Sequence, residues 1–222
     1  AGRRPLSRSG DPSQPMTQAL PRAWFGRDPL EVAPELLGCT LAVRGVGLRI
    51  TEVEAYRGES DPGSHGFRGR TPRTAVMFGP PGHLYVYFTY GMHWCANLVC
   101  ASDGVCGAVL VRAGEVVDGL ELALERRPGV RDRDLARGPA RLTRALGITG
   151  EDDGADVCGG DDAPFAVLPP TAPVDPARVR SGPRVGVSGA GGDGVLYPWR
   201  YWLDGEPSVS PYRAARPRVR RG

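Results

Sequence analysis

The run Thr51-Glu52-Val53-Glu54-Ala55-Tyr56 places two carboxylates and a phenol at alternate positions. In an extended segment side chains alternate, so all three share one face. A carboxylate at a strand end beside a Gly-rich loop is suited to orient and deprotonate a water. The plain alternative is an exposed acid paired with one of the many arginines, and two-residue periodicity does not separate Glu54 from Glu52. Downstream, Tyr85, Tyr87 and Tyr90 fall within six residues, with Tyr56 and His65 nearby in sequence. Such rings offer flat faces to a planar ligand, although aromatic stripes more often fill cores. Buried tyrosine hydroxyls need hydrogen-bond partners, which makes tyrosine an inefficient core filler.

Composition narrows the chemistry. All 28 basic residues are Arg and no Lys occurs in the 222 residues, so covalent catalysis by a lysine amine is excluded and only an N-terminal amine remains for it. Cys39, Cys95, Cys100, Cys106 and Cys158 are odd in number and form no Cys-x-x-Cys pair, as expected of reduced core thiols. A mixed site from His93, Cys95 and Cys100 fits no common zinc spacing, so neither metal nor cofactor is expected. His83, beside Gly82, reads as a surface loop residue. The net charge of +3 does not by itself announce a nucleic-acid binder. Its distribution is uneven: Arg213, Arg216, Arg218, Arg220 and Arg221 form a basic tail, and Glu151, Asp152, Asp153, Asp156, Asp161 and Asp162 a Gly-rich patch expected to be a solvated loop.

The elements that position these groups follow from pattern. Residues 1–21 are polar and Pro-rich, an expected disordered lead-in without a signal peptide. Asp28-Pro29 caps a helix with Leu30, Ala33 and Leu37 at helical spacing, ended by Gly38 and disturbed by Pro34. Leu41 and Val43, a turn at Arg44 to Gly47, then Leu48 and Ile50 make a hairpin whose second arm carries Glu52 and Glu54. Residues 57–83 form a long ordered loop. The stretch Leu84 to Val99 reads as two strands reversing at Tyr90-Gly91, and Gly107 to Ala113 as a strand carrying Arg112. Helices are expected over Asp118–Arg126 and Pro139–Leu146, the second with Arg141 and Arg144 on one face, and strands over Arg184–Val187 and Trp199–Leu203. No stretch approaches the ~20 apolar residues of a membrane span.

Several motifs in order resemble the alkyladenine (3-methyladenine) DNA glycosylase family: Thr51 to Tyr56, His65, Arg70-Thr71-Pro72-Arg73 with Met77-Phe78, Leu84 to Tyr87 with Tyr90-Gly91-Met92 and Asn97, Val111-Arg112-Ala113, Gly138-Pro139 before Leu142, and Arg184-Val185-Gly186-Val187. The resemblance spans residues 24–212. It implies that Glu54 is the general base for the water attacking C1′ and that Arg112 helps hold that water. It implies that Tyr56 and His65 form one wall of a base pocket and Tyr87 the other, that Asn97 collides with the exocyclic amine of guanine, and that Tyr90 wedges into the duplex. Arg68, Arg70, Arg73 and Arg141 are the expected phosphate contacts. His93-Trp94 and the loop near 150–163 depart from the family pattern and leave substrate range open.

Pattern and resemblance together imply a mixed α/β fold: one domain over 22–212, with a curved, mainly antiparallel sheet, flanking helices and a protruding aromatic hairpin, then a basic tail over 213–222. The implied activity is hydrolysis of the N-glycosidic bond of flipped alkylated or deaminated purines, including 3-methyladenine, hypoxanthine and ethenoadenine, in double-stranded DNA. Without Lys the enzyme is expected to be monofunctional, leaving an abasic site. It is expected to be a monomer away from membranes, in the cytoplasm and on the nucleoid of a bacterium or in a eukaryotic nucleus. A catalytically silent nucleic-acid-binding module and a metal-dependent hydrolase using His93, Cys95 and Cys100 are the rival readings.

Overall fold

Leu41, Val43, Leu48 and Ile50 have no exposed surface, and they set the register of the central hairpin. In the computed structural model, which describes residues 18–89, 91–159 and 163–215, β1 (Thr40–Val43) and β2 (Val46–Tyr56) close through Arg44-Gly45 with Val43 opposite Val46. Both turn residues have positive φ, +45° and +83°, the twist that a two-residue hairpin turn requires. Strand β2 continues to Tyr56 and is the spine of the sheet. β5 (Ala108–Asp118) pairs with it along its length, through irregularities around Ile50 and Glu52. This strand runs beyond the expected end at Ala113, because Gly114 lets the backbones close up at that irregularity: a Cβ there would lie 2.5 Å from the Arg49 carbonyl oxygen.

β3 (Leu84–Thr89) and β4 (His93–Val99) pair from Leu84 opposite Leu98 to Thr89 opposite His93. Tyr90, the expected wedge, lies outside the described residues. With β6 (Phe165–Leu168) the strand order is β3-β4-β5-β2-β1-β6. β7 (Val179–Gly182) pairs with β8 (Arg200–Leu203), and β8 lies on the remaining edge of β2 from Glu52 opposite Trp202 to Glu54 opposite Arg200. The protein is therefore a mixed α/β single domain built on an open, antiparallel eight-stranded sheet. At Glu54 the spine is paired on both sides, which leaves its backbone little freedom.

Among the described residues four helices are set around the sheet: α1 (Arg22–Phe25), α2 (Pro29–Glu35), α3 (Leu120–Arg126) and α4 (Pro139–Leu146). Asp28 Oδ1 accepts the Leu30 N–H at 2.9 Å and Pro29 opens α2. Pro34 cannot donate within the helix, and α2 ends one residue later. Asp118 belongs to β5, so α3 begins later than expected, after Gly119 in the left-handed conformation. α4 has the expected bounds; it buries Leu142, Ala145 and Leu146 and leaves Arg141 and Arg144 exposed.

Two expectations are corrected. Arg184–Val187 is irregular rather than a strand, because its backbone and the Arg184 side chain serve other groups, as described below. The acidic segment is not simply a solvated loop: Asp152 is buried, pairs with Arg44 and accepts the Thr149 N–H at 2.8 Å, while Asp153 accepts the Val86 N–H at 2.9 Å. Asp156 pairs with Arg22 at 2.6 Å, and Arg22 also approaches His83. Residues 1–17, Asp161, Asp162, Arg216, Arg218, Arg220 and Arg221 lie outside the described residues. Cys39, Cys95, Cys100 and Cys106 are buried free thiols and Cys158 is a half-buried one. Among the described residues no helix is long and apolar enough to cross a membrane.

Candidate active site

Glu54 has no exposed surface, yet its carboxylate lines a cavity of about 540 Å³. Oε1 accepts the Val185 N–H at 2.6 Å and lies 3.3 Å from Arg112 Nη1; Oε2 accepts the Tyr56 hydroxyl at 2.8 Å. Val185 and Tyr56 donate hydrogen bonds, and Arg112 adds an ion pair. A carboxylate offers about four acceptor positions, so room remains for a further donor such as water.

Glu52 is equally buried but differently occupied. Its Oε1 accepts Arg112 Nε at 3.0 Å, Arg200 Nε at 2.6 Å and the Ser210 hydroxyl at 2.9 Å, while Oε2 accepts the Ser210 N–H at 2.7 Å. Burial pushes its carboxyl upward, but Arg112 and Arg200 outweigh that and hold it below the ordinary glutamate value. Glu52 does not line the cavity. The partners, rather than the spacing, distinguish the two acids.

Arg112, only 6% exposed, bridges them. Burial disfavours its charge, but Glu54 and Glu52 reverse that effect and hold the guanidinium above the ordinary arginine value. It keeps its proton at any working pH.

The aromatic residues meet at the same cavity, which Tyr56, His65, Tyr85 and Tyr87 all line. His65 and Tyr87 contact each other edge to face, with centroids 4.5 Å apart, and Tyr87 stacks on Tyr85 at 5.6 Å. His65 Nδ1 lies 3.1 Å from the Tyr85 hydroxyl. His65 is exposed on its solvent side, yet desolvation against the cavity wall, with Arg73 nearby, holds its pKa below the ordinary histidine value and favours neutral imidazole. Burial raises the Tyr56 phenol, reinforced by Glu54, so this side chain donates to Glu54 as a neutral group. Asn97 is buried in the wall and donates to the Tyr85 carbonyl at 3.0 Å.

Arg184 was assigned no role from sequence. It is buried and donates to both Asp61 oxygens at 2.6 and 2.7 Å, to the Ala55 carbonyl at 3.0 Å and to the Gly191 carbonyl at 2.7 Å. Its guanidinium also lies over the Tyr56 and Trp199 rings, 4.6 and 5.3 Å from their centroids. Arg184 thereby joins the loop after β2 to the segment whose Val185 N–H grips Glu54. The available signal was an arginine embedded in the family motif; its Asp61 partner lies 123 residues away.

Arg68, Arg70, Arg73 and Arg141 are exposed, and Arg73 lies 5.7 Å from the Tyr87 ring centroid. Pro139 and Ala140, at the start of α4, reach the cavity. His93 and Cys95 also line it, whereas Cys100 Sγ approaches the Leu98 carbonyl at 3.4 Å. Among the described residues no three His, Cys, Asp or Glu side chains form a group that could hold a metal ion.

A family model described as methylpurine-DNA glycosylase matches residues 23–207, and with it the class of protein is a DNA glycosylase of base-excision repair. A Streptomyces avermitilis protein provisionally named 3-methyladenine DNA glycosylase is 56% identical over 207 residues, covering 91% of this chain and 95% of its own length. Proteins of Leifsonia xyli and Burkholderia lata with the same provisional name are 56% and 52% identical, over 90% and 91% of this chain and 96% and 97% of theirs. The chain belongs to the methylpurine-DNA glycosylase family.

Proposed function

We propose that this glycosylase is monofunctional and hydrolyses the N-glycosidic bond of alkylated or deaminated purines flipped from double-stranded DNA, leaving an abasic site. The observation that carries this reading is the buried Glu54 carboxylate at an aromatic cavity, held by two hydrogen bonds and an ion pair with acceptor capacity left over. A water seated there loses its proton to Glu54 as it attacks C1′, while the carboxylate stabilises the oxocarbenium-like sugar. Arg112 holds the water, and the absence of Lys supports water over an amine as nucleophile.

The aromatic walls are proposed to select the base. A stacked base needs roughly 7 Å between flanking rings, twice the ~3.5 Å contact distance. His65 and Tyr87 are in contact, so they are best assigned together to one wall with Tyr56 opposite. A cationic alkylpurine between such rings gains ~0.5–2 kcal/mol over its neutral relative. Asn97 is the proposed barrier to guanine's amine, Tyr90 the wedge, and Arg68, Arg70, Arg73 and Arg141 the phosphate contacts. The enzyme is proposed to act as a monomer, and the bacterial relatives suggest a nucleoid location.

The test is release of 3-methyladenine from methylated duplex DNA and of hypoxanthine from a defined duplex, scored as abasic sites, for the wild-type chain and Glu54→Gln. Abasic sites formed by the wild type alone support the reading. Equal yields from both proteins overturn the role of Glu54, and binding without abasic sites in the wild type overturns the activity.

A further inference from the structure

Behind the cavity lies an array of four buried charges, Arg200, Glu52, Arg112 and Glu54, in which signs alternate and each side chain is at most 7% exposed. The segment Ser208–Ser210 closes it. Ser208 Oγ pairs with Thr51 Oγ1 at 2.9 Å, the Val209 carbonyl accepts Arg137 Nε at 2.9 Å, and the Ser210 carbonyl accepts Arg200 Nη2 at 3.0 Å. Ser210 also donates to Glu52 through both its N–H and its hydroxyl. The array lies mostly behind the cavity: neither Glu52, Arg200 nor Ser210 lines it.

Arg112 presents its planar fork to two acids at once, and how it divides between them sets what Glu54 can do. The contact to Glu52 is the shorter, 3.0 Å from Nε, against 3.3 Å from Nη1 to Glu54. A guanidinium free of Glu52 would close onto Glu54 as a bidentate pair, the preferred geometry of an arginine and a carboxylate. That pair would occupy acceptor positions that Glu54 now keeps free and displace a water held there.

We infer that Glu52, clamped by Ser210 and Arg200, is a positioning residue that draws Arg112 away from Glu54 and so keeps an acceptor position of the Glu54 carboxylate open to water. This inference rests on the proposed roles of Glu54 and Arg112. Glu52 touches neither water nor base and acts through Arg112. The segment 208–210 is thereby part of the site's support, although Ser210 lies 158 residues from Glu52 in sequence.

The experiment is single-turnover release of 3-methyladenine from methylated duplex DNA by the full chain between pH 5 and 9. A cationic base needs no acid to leave, so the plateau rate reports the water step alone. The other charged or titratable groups facing Glu54 are Tyr56 on its own strand, Tyr87 of β3, Cys95 of β4, Arg112 of β5 and Arg184. The Glu52→Gln variant removes a neighbouring negative charge and lets Arg112 approach. The plateau rate falls by about 10- to 100-fold with DNA affinity unchanged, and Glu52→Asp, which keeps the charge, recovers most of that rate. Ser210→Ala removes the hydroxyl that donates to Glu52 and accepts Arg112 Nη2 at 3.5 Å, and keeps the backbone bond; it is expected to give a smaller loss of rate and guards against misfolding of the first variant.

A Glu52→Gln protein with wild-type rate overturns the inference. So does a reduced plateau that Glu52→Asp does not recover, or one accompanied by an equal loss of DNA affinity, the signature of a merely structural role. If Glu54→Gln is as active as the wild type, the underlying assignment fails instead, so the two failures are distinguishable.

Discussion

Two glutamates on one strand have opposite occupations because of what surrounds them. Glu54 keeps an acceptor position on the cavity, and Glu52 is consumed by two arginines and a serine. Glu54→Gln is expected to lower single-turnover excision by about 10²–10⁴ with duplex affinity retained, as measured by base release and by titration. Tyr56→Phe keeps the stacking face and removes the donor at 2.8 Å from Glu54; the expected loss is on the order of tenfold, seen in the plateau of the rate profile. At this scale the strand and its alternation were legible in sequence, but the choice between the acids was not. Family motifs indicated Glu54; the physical reason resides in Ser210 and Arg200, far along the chain.

Elements with strong local chemistry were the legible ones. Asp28-Pro29, Gly138-Pro139 and Gly147 mark helix ends because caps and φ restrictions act over a few residues. Asp28→Ala is expected to cost about 1 kcal/mol through loss of the α2 cap, measured by urea denaturation. Strands β6 and β7 escaped the pattern because β6, Phe165-Ala166-Val167-Leu168, is apolar throughout and shows no alternation, and β7 has no buried face. Arg184–Val187 resembles a strand by its alternate valines, yet its backbone turns so that Val185 can reach Glu54 and Arg184 can reach Asp61. The loop after β2 fits this arrangement closely: a Cβ on Gly63 would lie 2.4 Å from Arg184 Nη2, which is held by Asp61 and Gly191 and has little room to retreat. Gly63→Ala is expected to dislodge Arg184, speed proteolytic cleavage between residues 57 and 66, and reduce excision together with stability.

For the whole molecule, buried charge sets a pH window. Glu52, held low against burial by Arg112 and Arg200, and Glu206, held low chiefly by Arg49, bind protons more readily when unfolded. Their contribution to stability is fully present above the ordinary glutamate value, about pH 4.3, and is lost as the pH falls through their lower folded-state values. On the alkaline side, burial pushes the Cys39 thiol up to about 12, so its contribution is lost as the pH rises from its ordinary range toward that value. Urea midpoints across pH 3 to 10 should therefore be highest between about 5 and 8. DNA affinity should fall steeply with salt. Replacing Arg68, Arg70, Arg73 or Arg141 singly with Gln should reduce the slope of log K against log salt by about 1 wherever the arginine neutralises a phosphate. The segment 208–210 also orders events in time. A ribosome synthesises it after all eight strands, so a nascent or prematurely stopped chain that carries Glu54 and Arg112 still lacks the last clamp on the charge array. On the roles proposed above, a chain stopped at residue 207 holds every strand of the sheet and both acids but not the clamp, so it is expected to excise more slowly than the full chain.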